Sequence, residues 1–200
     1  MHSRSRSKCA IGPVSLLLAV SIMAPGCGDD SPPNHPANTS VSTVAINELQ
    51  SRNSSILSDT GKKSDWVELY NDGESDVSLE GYFISDDKNA LLKAELPAAA
   101  VVPALGFLVL WLDDTLDTEH SLHFPFKLSG DGENFYFVSP EGKVIRKLTL
   151  PADPTGTSTT APDVSYGAYP DGSYDMGWCR TPTPGKPNAA DCGEKGDAGI

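Results

Sequence analysis

The chain has little positive charge for its length. Its 200 residues include 27 Asp and Glu but only 15 Lys and Arg, which gives a formal net charge of −12. Three of the basic residues lie within the first 26 positions, which hold no acidic residue, so the rest of the chain has 12 basic residues against 27 acidic ones. A nucleic-acid-binding surface needs clustered cations to neutralise phosphates. We therefore expect no nucleic-acid partner.

The sequence also lacks the motifs of common catalytic and metal sites. It has no Gly-x-Ser-x-Gly elbow, no Walker phosphate loop and no EF-hand spacing. Its four cysteines include no CxxC pair of the kind that structural zinc sites use. We expect no catalytic residue, no metal and no cofactor.

Two sets of side chains have the chemistry of metal ligands without the spacing. The first set is acidic and comprises Asp59, Asp65, residues 86–87 and residues 113–117. Oxygen ligands of this kind suit calcium, but we interpret them as solvated loop acids. The second set is His120 and His123, which have no third ligand nearby in the sequence. We interpret both histidines as loop residues rather than as a zinc site.

Helical periodicity is absent beyond the length of a turn, whereas short apolar runs recur along the chain. The 16 Pro and 18 Gly favour many turns between these runs. Nine runs are predicted as strands: 44–49, 66–70, 77–79, 82–84, the neighbourhood of 91–92, 107–112, 122–128, 133–138 and 143–150. Strands at intervals of roughly 8–12 residues are typical of a β-sandwich or barrel. The sequence thus predicts an all-β domain.

Two of the predicted strands indicate where they lie in a sheet. Residues 107–112 are apolar on both faces, which predicts a central strand that is covered on both sides. Residues 122–128 include Pro125, which has no N–H to donate to a neighbouring strand. We therefore expect an edge strand or a bulged strand at this position.

The N-terminus has the pattern of an export signal. Three cations, Arg4, Arg6 and Lys8, precede an apolar segment at 10–24 that is too short to span a bilayer as a permanent helix. Residues 24–27 resemble a bacterial lipobox, which predicts a lipoprotein signal peptide at 1–26 and acylation of Cys27. An ordinary secretory signal with a fortuitous Cys27 is the alternative. Acylation would place the protein in the cell membrane or the outer membrane, outside the cytoplasm.

The segments that flank the predicted domain are polar. Residues 27–40 are rich in proline and have no apolar period, so we expect a disordered tether between the lipid and the folded region. We also expect residues 193–200 to be a disordered C-terminus. The domain itself is predicted over residues 41–192.

The cysteines can be assigned by position. Cys9 leaves with the signal and Cys27 takes the lipid, so Cys179 and Cys192 remain. Export compartments are oxidising, which favours a disulfide between these two residues. The bridge would close a loop of about 14 residues and contribute on the order of 3 kcal/mol. Two unpaired thiols or a metal pair are the alternatives.

Several short motifs in order resemble the lamin tail domain. They are INE at 46–48, DWVELYN at 65–71, LEGY at 79–82, FKL at 126–128, YPDG at 169–172 and TPG at 183–185. The resemblance covers about residues 41–189. It implies an immunoglobulin-like β-sandwich that acts as a binding or structural unit. Together with the predicted lipoprotein signal, the resemblance leads us to expect a bacterial lipoprotein member of that family.

The resemblance also singles out motif residues, to which we assign structural roles. They are Asn47, Glu48, Asp65, Trp66, Glu68, Asn71, Gly81, Asp171, Gly172, Pro184 and Gly185. Strand alternation puts Glu48 on the face of Val44 and Ile46. A carboxylate pair such as Glu48 and Glu68 can perform acid–base chemistry when the two environments differ. Buried carboxylates in β-domains more often accept backbone hydrogen bonds.

Two function hypotheses follow. The first is a non-catalytic cell-envelope lipoprotein that contacts protein or polysaccharide. The second is a small metal-dependent hydrolase that uses loop and strand-end carboxylates. For the first, we expect partner contacts at a mobile surface loop, residues 51–64, and at residues 86–89.

The aromatic residues and the C-terminal segment lead to three further expectations. Aromatic side chains offer a contact platform for carbohydrate or protein, although most are expected to pack in the domain: Trp66, Tyr82, Trp111, Tyr166, Tyr169, Tyr174 and Trp178. Residues from about 164 to 192 are expected to be ordered in spite of their Pro and Gly content, with a short strand at 164–169. Residues 151–163 are expected to form a flexible loop.

Overall fold

The computed structural model describes residues 41–114, 122–153 and 163–192. In these ranges the regular elements are one short 3-10 turn, Val41–Thr43, and twelve strands. The strands are β1 Val44–Gln50, β2 Asp65–Asn71, β3 Val77–Ser78, β4 Phe83–Ser85, β5 Ala94–Glu95, β6 Val101–Val102, β7 Phe107–Leu112, β8 His123–Phe124, β9 Glu133–Val138, β10 Val144–Leu150, β11 Ser165–Ala168 and β12 Met176–Cys179. Nowhere in the described ranges is a helix long and apolar enough to cross a membrane.

The strands form two main sheets and a small pair. The large sheet has the order β12-β11-β1-β2-β7-β8, the second sheet has the order β10-β9-β4-β5, and β3 pairs with β6. All pairings are antiparallel except that between β7 and β8. Apolar side chains from both main sheets form one core, among them Leu49, Leu69, Leu110, Phe135 and Phe137, all 0% exposed. The predicted all-β, immunoglobulin-like sandwich is therefore confirmed.

A bulge in β1 reverses the orientation of the second half of this strand. Ile46 lies opposite Leu69 on β2, but Glu48 lies opposite Glu68, so Asn47 is the extra residue. An extra residue shifts every following side chain to the other face of the sheet. The prediction that Glu48 shares a face with Val44 and Ile46 is therefore wrong. Glu48 lies on the outer face, away from the core.

β7 is covered less fully than the prediction of a central strand with two buried faces requires. Its core-facing residues Leu110 and Leu112 are buried, but Phe107, Val109 and Trp111 on the outer face are only half-buried. Next to it, β8 is two residues long and lies at the edge of the large sheet. This position agrees with the expectation drawn from Pro125, which cannot donate to a ladder.

Other strand boundaries differ locally from the prediction. Residues 91–92 form a turn rather than a strand, and β5 begins two residues later. Two further strands, β6 and β12, were not predicted. Both are short and Gly-, Pro- or turn-rich sequence surrounds them, so no apolar alternation marks them.

The C-terminal segment belongs to the large sheet. β11 pairs with β1, and β12 pairs with β11. A disulfide joins Cys179 and Cys192 with an S–S distance of 2.09 Å, which confirms the predicted pairing. Order over 164–192 is thus found as expected. The predictions for residues 1–40, for 154–162 of the predicted loop and for 193–200 concern residues outside the described ranges.

Candidate functional site: a buried carboxylate cluster under the tail

Two carboxylates lie side by side on the outer face of the large sheet. The bulge at Asn47 brings Glu48 opposite Glu68 on the neighbouring strand, and all three side chains are 0% exposed. The described C-terminal segment, residues 163–192, passes over this face and is called the tail below. Buried carboxylates need hydrogen-bond donors, and the donors here come mainly from that segment.

Glu48 accepts hydrogen bonds from two residues of the tail. The Thr183 amide lies 3.2 Å from both Oε1 and Oε2 of Glu48, and the Thr183 hydroxyl donates to Oε2 over 3.1 Å. The Ser165 hydroxyl donates to Oε1. Both oxygens of Glu48 are therefore occupied by groups of the chain itself.

Glu68 is held in the same way. The Asn47 side-chain amide donates to Oε1 over 2.9 Å, and the Gly185 backbone amide donates to Oε2 over 2.6 Å. Pro184 and Gly185 occupy the centre of a turn closed by the Lys186 amide and the Thr183 carbonyl at 3.0 Å. Proline followed by glycine with φ 77° suits a type II turn, and this turn directs the Gly185 N–H toward Glu68.

A third carboxylate, Asp171, joins the bulge to the tail. Its Oδ1 accepts from the Asn47 side chain over 3.0 Å and from the Asn188 amide over 2.9 Å. Gly172 N–H donates to Asn47 Oδ1 over 2.9 Å. Asn188 in turn donates to the Asn47 and Ala168 carbonyls. We call this hydrogen-bonded set the tail latch; it comprises Asn47, Glu48, Glu68, Ser165, Asp171, Gly172, Thr183, Gly185 and Asn188.

Gly167 allows the latch to close. A Cβ at this position would lie 2.9 Å from Asn188 Nδ2, 2.9 Å from Cys179 Sγ and 3.1 Å from Glu48 Cγ. Contacts as short as these would force the disulfide and the latch apart. A side chain at residue 167 is therefore incompatible with the observed packing of the tail on β1.

Burial dominates the electrostatics of the latch. Loss of solvation raises the pKa of Glu48 to about 7, against the opposing hydrogen bonds from Ser165 and Thr183. It raises the pKa of Glu68 to about 8, against the hydrogen bonds from Asn47 and Gly185 and with added repulsion from Glu48 and Asp171. No latch residue is a cation, so the cluster favours retention of a proton.

The remaining motif residues also make structural contacts. Asp65 accepts from the backbone amides of Arg52 and Leu128 at 3.0 and 2.9 Å. Asn71 donates to the Ser75 carbonyl over 2.8 Å. Gly81 has φ 78° in a turn where positive φ favours glycine. These contacts fix loops onto strand ends.

Trp66 is buried rather than displayed. It is 0% exposed, and its indole N–H donates to Gln50 Oε1 over 2.7 Å. Among the aromatic residues considered for a platform, Tyr174 is 88% exposed and Tyr169 is 43% exposed, whereas Tyr82, Trp111, Tyr166 and Trp178 are half-buried.

The structure places His123 differently from the sequence expectation. His123 lies in β8, buried, with Nδ1 2.8 Å from Asp113 and Nε2 2.6 Å from Asp59. The expectation of a loop residue is wrong for His123, and His120 lies outside the described residues. Desolvation acts to lower the pKa of His123, but the hydrogen bonds and charges of Asp113 and Asp59 outweigh it and raise that pKa. The three residues are too far apart in sequence for local spacing to reveal them.

The contact with His123 fixes the loop at 51–64 to the large sheet. Four polar residues of this loop are buried, Ser51, Asn53, Ser58 and Ser64. Asn53 Nδ2 donates to the carbonyls of Ile56 and Ser64 at 2.7 and 2.8 Å. The loop therefore has a hydrogen-bonded framework of its own, which its polar composition did not predict. Its mobility remains a prediction.

The acidic clusters have internal partners as well. Asp86 pairs with Lys93 at 2.6 Å, and Asp114 lies 3.3 Å from Lys127. Over residues 41–114, 122–153 and 163–192, no group of three or more His, Cys, Asp or Glu side chains is arranged to hold a metal ion.

The fold and the latch define an immunoglobulin-like β-sandwich that binds its own C-terminal segment through buried carboxylates. The lamin tail domain family profile matches residues 37–151, more than half of the chain. The protein belongs to the lamin tail domain family. Domains of this family are immunoglobulin-like and are generally non-catalytic structural or binding modules. No curated protein matches the chain.

Proposed function

We propose that the protein is a non-catalytic lipoprotein of the cell envelope whose sandwich contacts protein or polysaccharide outside the cytoplasm. The observation that carries the non-catalytic part is the occupancy of the two central carboxylates. Each of the four oxygens of Glu48 and Glu68 accepts a hydrogen bond from the chain itself. A carboxyl pair with all of its oxygens occupied in this way holds the C-terminal segment on the sheet.

The hydrolase alternative requires carboxyl groups that reach a substrate. In glycoside hydrolysis, the two carboxyl groups flank the scissile bond and one of them contacts water or the sugar. Glu48 and Glu68 are 0% exposed beneath the turn at 183–186. A substrate would have to displace that turn. No contact of these residues favours the hydrolase over the structural module.

The anchor rests on the sequence of the N-terminus. Acylation at Cys27 would leave 14 residues, 27–40, between the lipid and the first described residue. A fully extended chain of this length spans at most about 50 Å. The domain would therefore lie close to the membrane surface. We expect two or more acyl chains, because a single chain gives only marginal membrane binding.

Fractionation of cells that express the full chain tests the anchor. The protein should partition into detergent and lack the mass of residues 1–26, and Cys27→Ala should release it as a soluble or uncleaved form. Cys9→Ala is the matched control, because Cys9 leaves with the signal. If Cys27→Ala and Cys9→Ala fractionate alike, the lipoprotein assignment is wrong.

Capture experiments test the binding role separately. The detergent-solubilised wild-type protein should retain an envelope protein or polysaccharide. A protein that partitions with membranes but retains neither would contradict the contact part of the proposal and leave the anchor intact.

A further inference from the structure

A buried histidine at the edge of the large sheet faces two carboxylates. The His123 side chain is 0% exposed; its Nδ1 lies 2.8 Å from Asp113 Oδ2 and its Nε2 lies 2.6 Å from Asp59 Oδ1. Asp113 directly follows β7, whereas Asp59 belongs to the loop at 51–64. The two nitrogens of one ring therefore join this loop to the sheet.

The positions of the two carboxylates require a charged ring. A neutral imidazole has one N–H donor and one lone pair, and an ionised carboxylate only accepts hydrogen bonds. A neutral His123 would therefore turn a lone pair toward a carboxylate oxygen at 2.6 or 2.8 Å. An imidazolium donates from both nitrogens and satisfies both carboxylates.

The two carboxylates differ in their access to water. The side chain of Asp113 is 3% exposed and that of Asp59 is 61% exposed. A buried charge that loses its partner is costly, whereas an exposed charge can be solvated. When the ring loses one proton, Nδ1 should therefore keep its N–H on Asp113. The lone pair then forms at Nε2 and repels Asp59.

Asp59 lies at the tip of the loop. The Ser58 amide donates to the Lys62 carbonyl over 2.8 Å, and the Gly61 amide donates to the Ser58 carbonyl over 2.9 Å. These two hydrogen bonds close a tight turn around Asp59. The contact with His123 thus holds this turn against the sheet.

The base of the loop is fixed independently of His123. The Arg52 amide donates to Asp65 Oδ1 over 3.0 Å, and the Asn53 side chain donates to the Ser64 carbonyl over 2.8 Å. Loss of the Asp59 contact would therefore free the tip, while the loop stays attached where it joins β1 and β2.

The charges that face the ring favour its protonated form. Desolvation opposes the imidazolium, but the hydrogen bonds and charges of Asp113 and Asp59 outweigh it and raise the pKa of His123 above its ordinary value of 6.5. From β7 the ring also meets the uncharged Trp111, with ring centres 6.3 Å apart. The neighbouring charges Asp114 and Lys127 lie 3.3 Å from each other. The ring is therefore charged at low pH and loses its charge as pH rises through the raised value.

We propose that His123 is a proton-controlled clamp on the loop at 51–64. As an imidazolium it holds the tip of the loop against the large sheet. Loss of the Nε2 proton to solvent releases Asp59 and opens the tip, while Nδ1 stays bonded to Asp113. The clamp goes beyond the proposed envelope role, since it depends on neither the lipid anchor nor a binding partner.

NMR of the purified full chain in detergent, labelled with 15N-histidine, tests the chemistry of the ring. His123→Gln identifies the signals of this residue. The wild-type ring should lose a proton between about pH 6.5 and about pH 9, and its neutral form should carry the proton on Nδ1. A neutral form protonated on Nε2, or a ring that does not titrate in this range, would overturn the clamp.

Trypsin cleavage after Lys62 and Lys63, which are both exposed, tests the movement of the tip. Each rate is divided by the rate for Asp59→Ala at the same pH, because this variant lacks the clamp. The ratio cancels the pH dependence of trypsin and of the tail latch. The wild-type ratio should rise by about tenfold as His123 loses its proton, which corresponds to about 1.4 kcal/mol.

Asp59→Asn separates the clamp from a general effect of charge. An asparagine side chain has both an acceptor and donors, so it can bond either form of the ring. Its cleavage ratio should therefore stay low at every pH. Asp72→Asn is the matched control, because Asp72 is exposed and lies just beyond the opposite end of β2; it should behave like the wild-type protein.

Three results would overturn the clamp. The first is a wild-type ratio near one at low pH, since the tip would then be open while the ring is charged. The second is an equal rise of the ratio in Asp59→Asn and in the wild-type protein. The third is a cleavage midpoint that differs from the midpoint of the His123 titration.

Discussion

Residues 41–153 and residues 163–192 are held in one domain by different interactions. The first region contributes nearly all of the apolar core, including Phe135 and Phe137. The second region adds two strands at one end of the large sheet, with Tyr166, Met176 and Trp178 only partly buried against that core. Its closest contacts are hydrogen bonds to buried carboxylates and one disulfide.

The difference has a physical consequence. Apolar burial is non-directional and tolerates substitutions of similar volume, whereas a hydrogen bond to a buried carboxyl group depends on each donor. The tail should therefore open as a unit under conditions that leave the rest of the sandwich folded. Regions held by few apolar contacts are the usual sites of local opening. The family profile ends at residue 151, before β11 begins, so it matches the first region and not the tail.

Loss of the disulfide should give the largest difference between the two regions. Reduction of the Cys179–Cys192 bridge, or Cys192→Ser, should lower the free energy of unfolding by about 3 kcal/mol, because it frees a short loop in the unfolded chain. Limited proteolysis of the oxidised and reduced protein checks this. New cleavage should appear in residues 169–192 while 41–153 stays intact. Rapid cutting of that segment in the oxidised protein would show that the tail is not part of the fold.

Removal of a latch carboxylate should have a smaller effect of the same kind. Glu68→Ala leaves the Gly185 amide without its acceptor and the Asn47 side-chain amide with Asp171 as its only carboxylate acceptor, which should cost about 2 kcal/mol. Urea unfolding measures the loss, and amide hydrogen exchange shows where it falls. Glu68→Gln is the matched control: its carbonyl keeps one acceptor, so it should lose less. Equal acceleration of exchange in β9 and in the tail would contradict a separate latch.

The sandwich could be predicted from the sequence because the patterns that indicate strands and turns are local. Alternating apolar residues mark β1, β2 and β9 directly, and glycine marks the turns between them. The same alternation misplaced Glu48, because one extra residue at Asn47 inverts the strand and no residue type in β1 announces a bulge.

The candidate site depended on contacts that sequence spacing does not show. The motif residues were recognised as structural, but their donors were not, since Thr183 lies 135 positions after Glu48. The pairing of His123 with Asp59 spans 64 positions and was not predicted for the same reason. Only the assembled sheet brings these groups together.

The pH dependence of the latch should give the smallest of these effects and the sharpest test of the comparison. The folded-state pKa values of Glu48 and Glu68, about 7 and about 8, are raised above the ordinary value of 4.5 because burial disfavours the charged forms. The resulting stabilisation is complete below the unfolded-state pKa and is lost as pH rises through the folded-state values. One proton bound only by the folded state changes the free energy of unfolding by at most about 1.4 kcal/mol per pH unit. We expect a fall of about 1 kcal/mol between about pH 7 and about pH 8.

His123 has a raised pKa as well and contributes a slope of the same sign, so global unfolding alone does not assign the effect. Amide exchange separates the two contributions, because the Thr183 and Gly185 amides donate to the latch carboxylates whereas His123 lies at the far edge of the sheet. Exchange at these two amides, corrected for the intrinsic pH dependence, should accelerate above about pH 7 while β9 stays protected. The Glu48→Gln/Glu68→Gln variant should lose that acceleration. The pH dependence of its global unfolding should keep only the contribution of His123. Equal pH dependence at Gly185 in this variant and in the wild-type protein would mean that the carboxylates do not titrate in this range.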